Sequence, residues 1–336
     1  MSIDWTPLAD LIETHDRFLL TTHVRPDGDA LGSEVGLAGL LRQKGKDVRV
    51  VNSSRTPPRY DFLDPNGTLF EHFGSMADVG ASLADREVLV VLDLSAWSQL
   101  GDMAELVRGF AGQRVVIDHH VSQDDLGALF LKDTTAEATG TLIVRAIRAL
   151  GGTFTPEVAT GLLTAIATDT GWFRHPSTRP ETFRTAAELV EAGAQVDSIY
   201  RLLFERNTAA RILLMGETLA GLKLDAEGRV CYTAVTRDML ASTGAIPQDT
   251  EDLVDFTVCL EGVEVGILFV EQARGGVKVS LRSRKRLDCT RVASQFGGGG
   301  HKAAAGATLP EPTSESIARV LAAVRAELGR SPNSGH

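Results

Sequence analysis

Residues 17–45 read RFLLTTHVRPDGDALGSEVGLAGLLRQKG. The run Arg17–Val24 is short and apolar, with the length of a buried strand. In the segment that follows, Leu31, Val35, Ala38 and Leu41 recur at helical spacing, and Gly45 is a stop signal. The same alternation continues outward. DVRVV is a second strand, EVLVVLDLS (Glu87–Ser95) a third, and RVVIDHH (Arg114–His120) a fourth. Short apolar strands separated by helices predict a mostly parallel sheet flanked by helices, an α/β fold. In such sheets ligands gather at the carboxyl ends of the strands.

Beyond Thr139 the pattern is mostly helical. PEVATGLLTAIATDTG opens with Pro156 at a first helical position, and RPETFRTAAELVEAGA ends near Gly193. A long linking helix is expected over 197–224. After it the texture changes to a smaller α/β domain, 225–330. RVCYTAV is a strand, and EVGILFVEQARGGVKVSLRS is a hairpin turning at Gly275-Gly276. A final amphipathic helix carries Ser314 as its expected cap, and residues 331–336 are expected to be a disordered tail. The expected division is therefore 1–196, 197–224 and 225–330.

Composition limits the function. The chain has 336 residues, 43% of them apolar and 23% charged, which is enough for a sizeable core. It contains no apolar run of the roughly 18 residues that span a membrane. MSIDWTPLADLIE mixes acids into its apolar positions, unlike a secretory signal. Cys231, Cys259 and Cys289 are scattered, without metal spacing, which fits a reducing cytoplasm. The net charge of −10 disfavours holding long nucleic acid by bulk electrostatics. Any phosphate it binds must be held locally, by metals or a small basic patch.

The strand ends carry the chemistry. The first brings His23, Asp27 and Asp29 within seven residues, with Gly28 allowing a tight turn between the two acids. The others end at Asp93 and at Asp118-His119-His120, and the helix AIATDTG delivers Asp169. An acid after one strand is commonly a cap or turn former. Several aspartates and three histidines at one sheet edge repel too strongly to stay ionised without cations. Carboxylates with imidazole and no thiolate suit manganese or magnesium. Two ions, roughly 3.5–4 Å apart, would use all the acids and support phosphoester hydrolysis.

HVRPDGDALG, Asp93, DHH and TDTG, in that order and spacing, resemble the DHH phosphoesterases. SLRSR…FGGGGHKAAAG resembles the DHH-associated domain of one branch, and the chain is similar to the NrnA-type oligoribonucleases of that branch. The resemblance implies two manganese ions, one on His23, Asp27 and Asp93 and one on Asp29, Asp93, His119 and Asp169, with Asp93 bridging. It implies that His120 faces the substrate phosphate and that Asp118 orients a histidine. In the second domain it implies nucleotide binding by Arg282, Ser283 and Arg284 and by the glycine-rich loop Gly299, Gly300 and His301. Glycines admit backbone N–H groups to an anion, and arginine offers a planar fork of donors, so the residues themselves agree.

The implied substrates are short RNA oligonucleotides and 3′-phosphoadenosine 5′-phosphate, and a homodimer is a further family expectation. Competing readings are hydrolysis of cyclic di-AMP or linear dinucleotides, inorganic pyrophosphatase, RecJ-type exonuclease, and a nucleotide-binding regulator without catalysis. The implied ligands are all present, which disfavours the last. One departure is LSAWSQLG after Asp93, where Leu94 and Gln99 replace a small polar and a basic residue of the family pattern.

Overall fold

The computed structural model describes residues 3–75, 81–284, 286–300, 302–310 and 312–330. The chain divides into two compact units, 1–206 and 207–336.

The first unit is built on six strands: β1 (Arg17–Thr21), β2 (Asp47–Asn52), β3 (Phe70–His72), β4 (Val88–Leu92), β5 (Gln113–Asp118) and β6 (Leu129–Lys132). Their order is β3-β2-β1-β4-β5-β6, with every pairing parallel. The order reverses direction between β1 and β4. At such a switch point the connections leave toward opposite edges and open a crevice at the carboxyl ends of the strands.

Alternate side chains of the strands build separate cores. Phe18, Leu20, Val88, Val90, Val115 and Ile117 pack under α1 (Thr6–Thr14), α2 (Gly28–Gln43), α5 (Thr139–Ala149) and α6 (Pro156–Asp169). Leu19, Leu89, Val91 and Val116 pack instead with Leu83 and Met103, Leu106 and Val107, from α3 (Ala81–Leu83) and α4 (Met103–Gly109). Helix α2 is buried almost all round, from Gly28 to Leu41. It lies against α6 at Gly32 and Gly161, where a Cβ on Gly32 would come within 2.2 Å of the Gly161 carbonyl oxygen. Two further helices, α7 (Pro180–Glu191) and α8 (Val196–Phe204), complete the unit.

The run expected as one linking helix is two. Helix α8 ends at Phe204, and α9 (Ala209–Ala220) begins afresh with Thr208 accepting the Arg211 N–H. Ser/Thr side chains compete for backbone donors and so favour caps over helix interiors. The second unit holds β7 (Lys223–Asp225), β8 (Val230–Val235), β9 (Val265–Glu271), β10 (Val277–Ser283), β11 (Gly299–Gly300) and β12 (Ala304–Leu309). They form one sheet in the order β11-β12-β10-β9-β8-β7, with only the β8–β9 pair parallel. The β9–β10 hairpin turns through Gly275 and Gly276, both at positive φ (91° and 87°), which glycine adopts without steric cost. Four helices, α10 (Arg237–Thr243), α11 (Leu253–Thr257), α12 (Cys289–Ala293) and α13 (Thr313–Arg330), accompany the sheet. Helix α13 already includes Thr313, so Ser314 lies inside its first turn rather than capping it. The tail 331–336 lies outside the described residues. Among the described residues no helix is long and apolar enough to cross a membrane.

Candidate metal centre

The switch point between β1 and β4 is where the polar side chains converge. His23 follows β1, Asp93 follows β4, and Asp118, His119 and His120 end or follow β5. Asp27 caps α2, its Oδ1 accepting the N–H groups of Asp29 and Ala30 at 3.0 and 3.1 Å. Asp169 is the last residue of α6. Gly28 serves a purpose other than the turn expected of it. It is the first residue of α2, and a Cβ there would meet Thr168 at 2.5 Å, so its smallness lets α2 approach α6.

Among the described residues, three groups of side chains offer donor atoms that, within each group, all lie within 4.8 Å of one another: His23, Asp27 and Asp93; Asp29, His119 and Asp169; and Asp93, His119 and His120. His23 Nε2 is 3.6 Å from Asp93 Oδ2 and 3.9 Å from Asp27 Oδ1. His119 Nε2 is 3.5 Å from Asp169 Oδ2, 3.7 Å from Asp93 Oδ1 and 3.8 Å from Asp29 Oδ2. The two oxygens of Asp93 thus face different imidazoles. Asp93 has φ of +61°, a left-handed conformation that Asp tolerates better than most residues.

The ring protons follow from the other nitrogen of each imidazole. His23 Nδ1 lies 3.0 Å from the Val24 carbonyl oxygen, and His119 Nδ1 lies 3.2 Å from that of Ala136. A carbonyl only accepts, so both Nδ1 atoms donate, and in the neutral ring each Nε2 then presents a lone pair to carboxylates. His119 Nε2 is buried without a hydrogen-bond partner. Lone pairs facing carboxylate oxygens at 3.5–3.9 Å repel unless a cation lies among them. The donor set, imidazole with carboxylate and no thiolate, fits divalent ions of the manganese or magnesium kind.

The carboxylates show the same strain. Burial, followed by Asp93 and Asp169, pushes Asp29 well above the usual range, with His119 opposing. Burial and then Asp27 raise Asp93, while the Thr139 hydroxyl bond opposes. Burial also raises Asp169, against the pull of His119. Helix α5 holds two of these groups. Its Thr139 and Gly140 N–H groups donate to Asp29 at 2.7 and 2.8 Å, and Thr139 Oγ1 donates to Asp93 at 2.8 Å. The free N–H groups at a helix N-terminus favour a carboxylate in this way.

Asp118 is fully buried and differs from the rest. Burial raises it, but hydrogen bonds from His120 and Ser95 outweigh that and hold it well below the carboxylate range. Its Oδ1 accepts His120 Nδ1–H at 2.8 Å, and its Oδ2 accepts the Ser95 hydroxyl and pairs with Lys132 Nζ at 3.0 Å. Sequence reading missed Ser95, Lys132 and Thr139. Lys132 carried the faint signal of a cation closing an apolar strand.

In the second unit, Arg282 and Ser283 end β10, beside β12, and Gly299 and Gly300 pair with Gly306 and Ala305 of β12. The two glycines, read as a loop, form an edge strand. Gly300 sits at φ of +142°, and a Cβ on it would lie 2.6 Å from the Ala304 carbonyl oxygen. Arg282 Nε bonds Asp255 Oδ1 at 2.9 Å, the Ser283 hydroxyl is buried without a partner, and Arg284 is exposed. His301 and Lys285 lie outside the described residues.

Residues 17–166 match the DHH family, N-terminal domain, and residues 227–330 match the DHHA1 domain. The chain belongs to the DHH family. It is 36% identical over 313 residues to the bifunctional oligoribonuclease and PAP phosphatase NrnA of Thermus thermophilus, covering 93% of this chain and 90% of that one. It is 25% identical over 308 residues to the protein of the same name from Bacillus subtilis, covering 90% and 93%. An exopolyphosphatase-related protein from Bacteroides fragilis superposes with a TM-score of 0.90 at 26% identity, covering 96% of this chain and 95% of that one.

Proposed function

We propose that this chain is a metal-dependent phosphoesterase that hydrolyses short oligoribonucleotides and 3′-phosphoadenosine 5′-phosphate. The observation that carries the reading is Asp93, whose two oxygens face His23 on one side and His119 on the other. Kinship with proteins named oligoribonuclease and PAP phosphatase supports the substrate class.

In this reading His23, Asp27 and Asp93 hold one ion, and Asp29, Asp93, His119 and Asp169 hold the other. Manganese is the ion we infer, from the mixture of imidazole and carboxylate donors. When bound, two such ions supply Lewis acidity toward the phosphoryl oxygens and a water acidified to near neutral pH. The chain's own groups do the rest. Val24 and Ala136 carbonyls fix the tautomers of His23 and His119. Asp118 fixes His120 with the proton on Nδ1, so Nε2 is the nitrogen that meets the phosphate and steadies its charge. Arg282, Ser283, Arg284, Gly299, Gly300 and His301 bind a nucleotide phosphate, and recognition of that one phosphate favours short chains.

Calorimetric titration of chelator-treated protein with manganese tests the centre. The wild type should bind two ions, and Asp93→Ala should lose both together with turnover. Retained manganese-dependent turnover in Asp93→Ala would refute the assignment.

A further inference from the structure

Thr22 and Leu92 each stand one residue before a donor of the proposed centre, His23 and Asp93. Thr22 Oγ1 donates to the Leu92 carbonyl at 2.7 Å, tying the end of β1 to the end of β4 across the switch point. The Thr22 N–H donates to a side chain, Asn52 Oδ1, at 3.1 Å. Asn52 sits at the end of β2, and its Nδ2 donates to Glu34 Oε2 at 2.8 Å. Glu34 comes from the middle of α2. Glu34, Thr22 and Leu92 are wholly buried, and Asn52 is 2% exposed.

A carboxyl at this place is costly. Glu34 Oε1 is buried without a hydrogen-bond partner. Burial pushes the group up to about 8, against the Asn52 bond and the neighbouring His23. Leucine would fill the same helix position without burying a polar atom. Glu34 is wholly buried and has no part in the chemistry so far described. What it does is orient Asn52. With the Asn52 amide held by Glu34, its oxygen faces the Thr22 N–H, and Thr22 in turn grips Leu92.

We propose that Glu34 is a positioning residue, which acts through Asn52 and Thr22 to fix the strand ends that set His23 against Asp93. The inference rests on the metal reading of that centre. It requires a hydrogen-bond acceptor at position 34, not a charge, so the amide of Gln can replace the carboxyl.

The test is manganese calorimetry on metal-stripped wild type, Glu34→Gln, Glu34→Leu and Asn52→Leu, with melting temperatures measured on the same samples. Glu34→Leu and Asn52→Leu should weaken one of the two ions by about 10- to 100-fold, as loss of an outer hydrogen bond does at metal sites, and leave the other bound. Glu34→Gln should keep both. If Glu34→Leu does not fold, Asn52→Leu breaks the same link and carries the test. Lowered melting temperatures with both affinities unchanged would show a purely structural role and overturn the inference. So would Glu34→Gln binding as weakly as Glu34→Leu. Failure of the metal reading has its own sign, a wild type that binds no manganese.

Discussion

Asp118 accepts two hydrogen bonds from His120, one from the backbone N–H at 3.0 Å and one from ring Nδ1 at 2.8 Å. The residue that begins the DHH triplet thus steers the residue that ends it, while the middle histidine turns toward three other carboxylates. The two imidazoles pack edge to face, their ring centroids 4.5 Å apart, so their hydrogen-bond partners rather than their directions separate the two tasks.

If Asp118 serves to aim His120, Asp118→Asn should lower kcat on the order of 10- to 100-fold, the usual effect of an outer partner of a site histidine. Manganese affinity should stay as it was, because Asp118 touches neither proposed ion group. Steady-state kinetics with phosphoadenosine phosphate, beside manganese calorimetry, reads both. An unchanged kcat would remove Asp118 from the aiming role.

Lys132 pairs with Asp118 in a setting where the side chains are 11% and 0% exposed. Lys132→Met leaves that carboxylate without its cation, and breaking one side of a buried pair costs about 3–5 kcal/mol. Urea unfolding should show a loss of that order. Combining Lys132→Met with Asp118→Asn should recover part of it, since the stranded charge is gone. Strictly additive losses would contradict the pairing.

Stability should depend on pH in opposite senses with and without metal. Burial first, then neighbouring acids, hold Asp29 and Asp93 high; burial holds Asp169 high and Glu34 at about 8. A carboxyl raised by folding binds its proton more tightly in the folded chain. Its contribution to stability is complete below the unfolded value, near pH 4, and is lost as pH rises through the raised value. Metal-free protein should therefore melt at progressively lower temperature from about pH 4 to pH 8. Manganese competes with those protons, so its stabilisation should grow over the same interval. Thermal melts at several pH values, with chelator and with manganese, decide it. A metal-free melting temperature that climbs across this window would contradict the electrostatics.

Arg282 bonds Asp255 through side chains 34% and 55% exposed, a pair worth at most about 1 kcal/mol to folding. Arg282→Ala should leave the melting temperature nearly unchanged and both manganese affinities intact, while raising KM for phosphoadenosine phosphate. Equal KM in wild type and variant would take Arg282 out of phosphate binding.

The donors of the centre were legible because each closes an apolar strand or helix within a few residues. Asp27, Asp93 and His119 break patterns that would otherwise continue. Glu34 gave no such signal. Helix α2 is buried on nearly every side, so no polar stripe existed against which a buried acid would stand out. Ser95 and Lys132 are ordinary loop and strand-end residues until β6 is placed beside β5, and β6 has only four residues. Strand order escaped for the same reason. Parallel strands are joined through helices, and nothing local in β1 states that β4 is its neighbour. The break between α8 and α9 was carried by Thr208, whose capping role competes with an uninterrupted helical reading.

The central claim is tested most directly by turnover of a substrate panel with manganese: phosphoadenosine phosphate, RNAs of two to five residues, cyclic di-AMP, pyrophosphate and long single-stranded DNA. Phosphoadenosine phosphate and the short RNAs should be hydrolysed fastest, and chelation should stop the reaction. Fastest turnover of pyrophosphate or long DNA, or hydrolysis that survives chelation, would contradict the account.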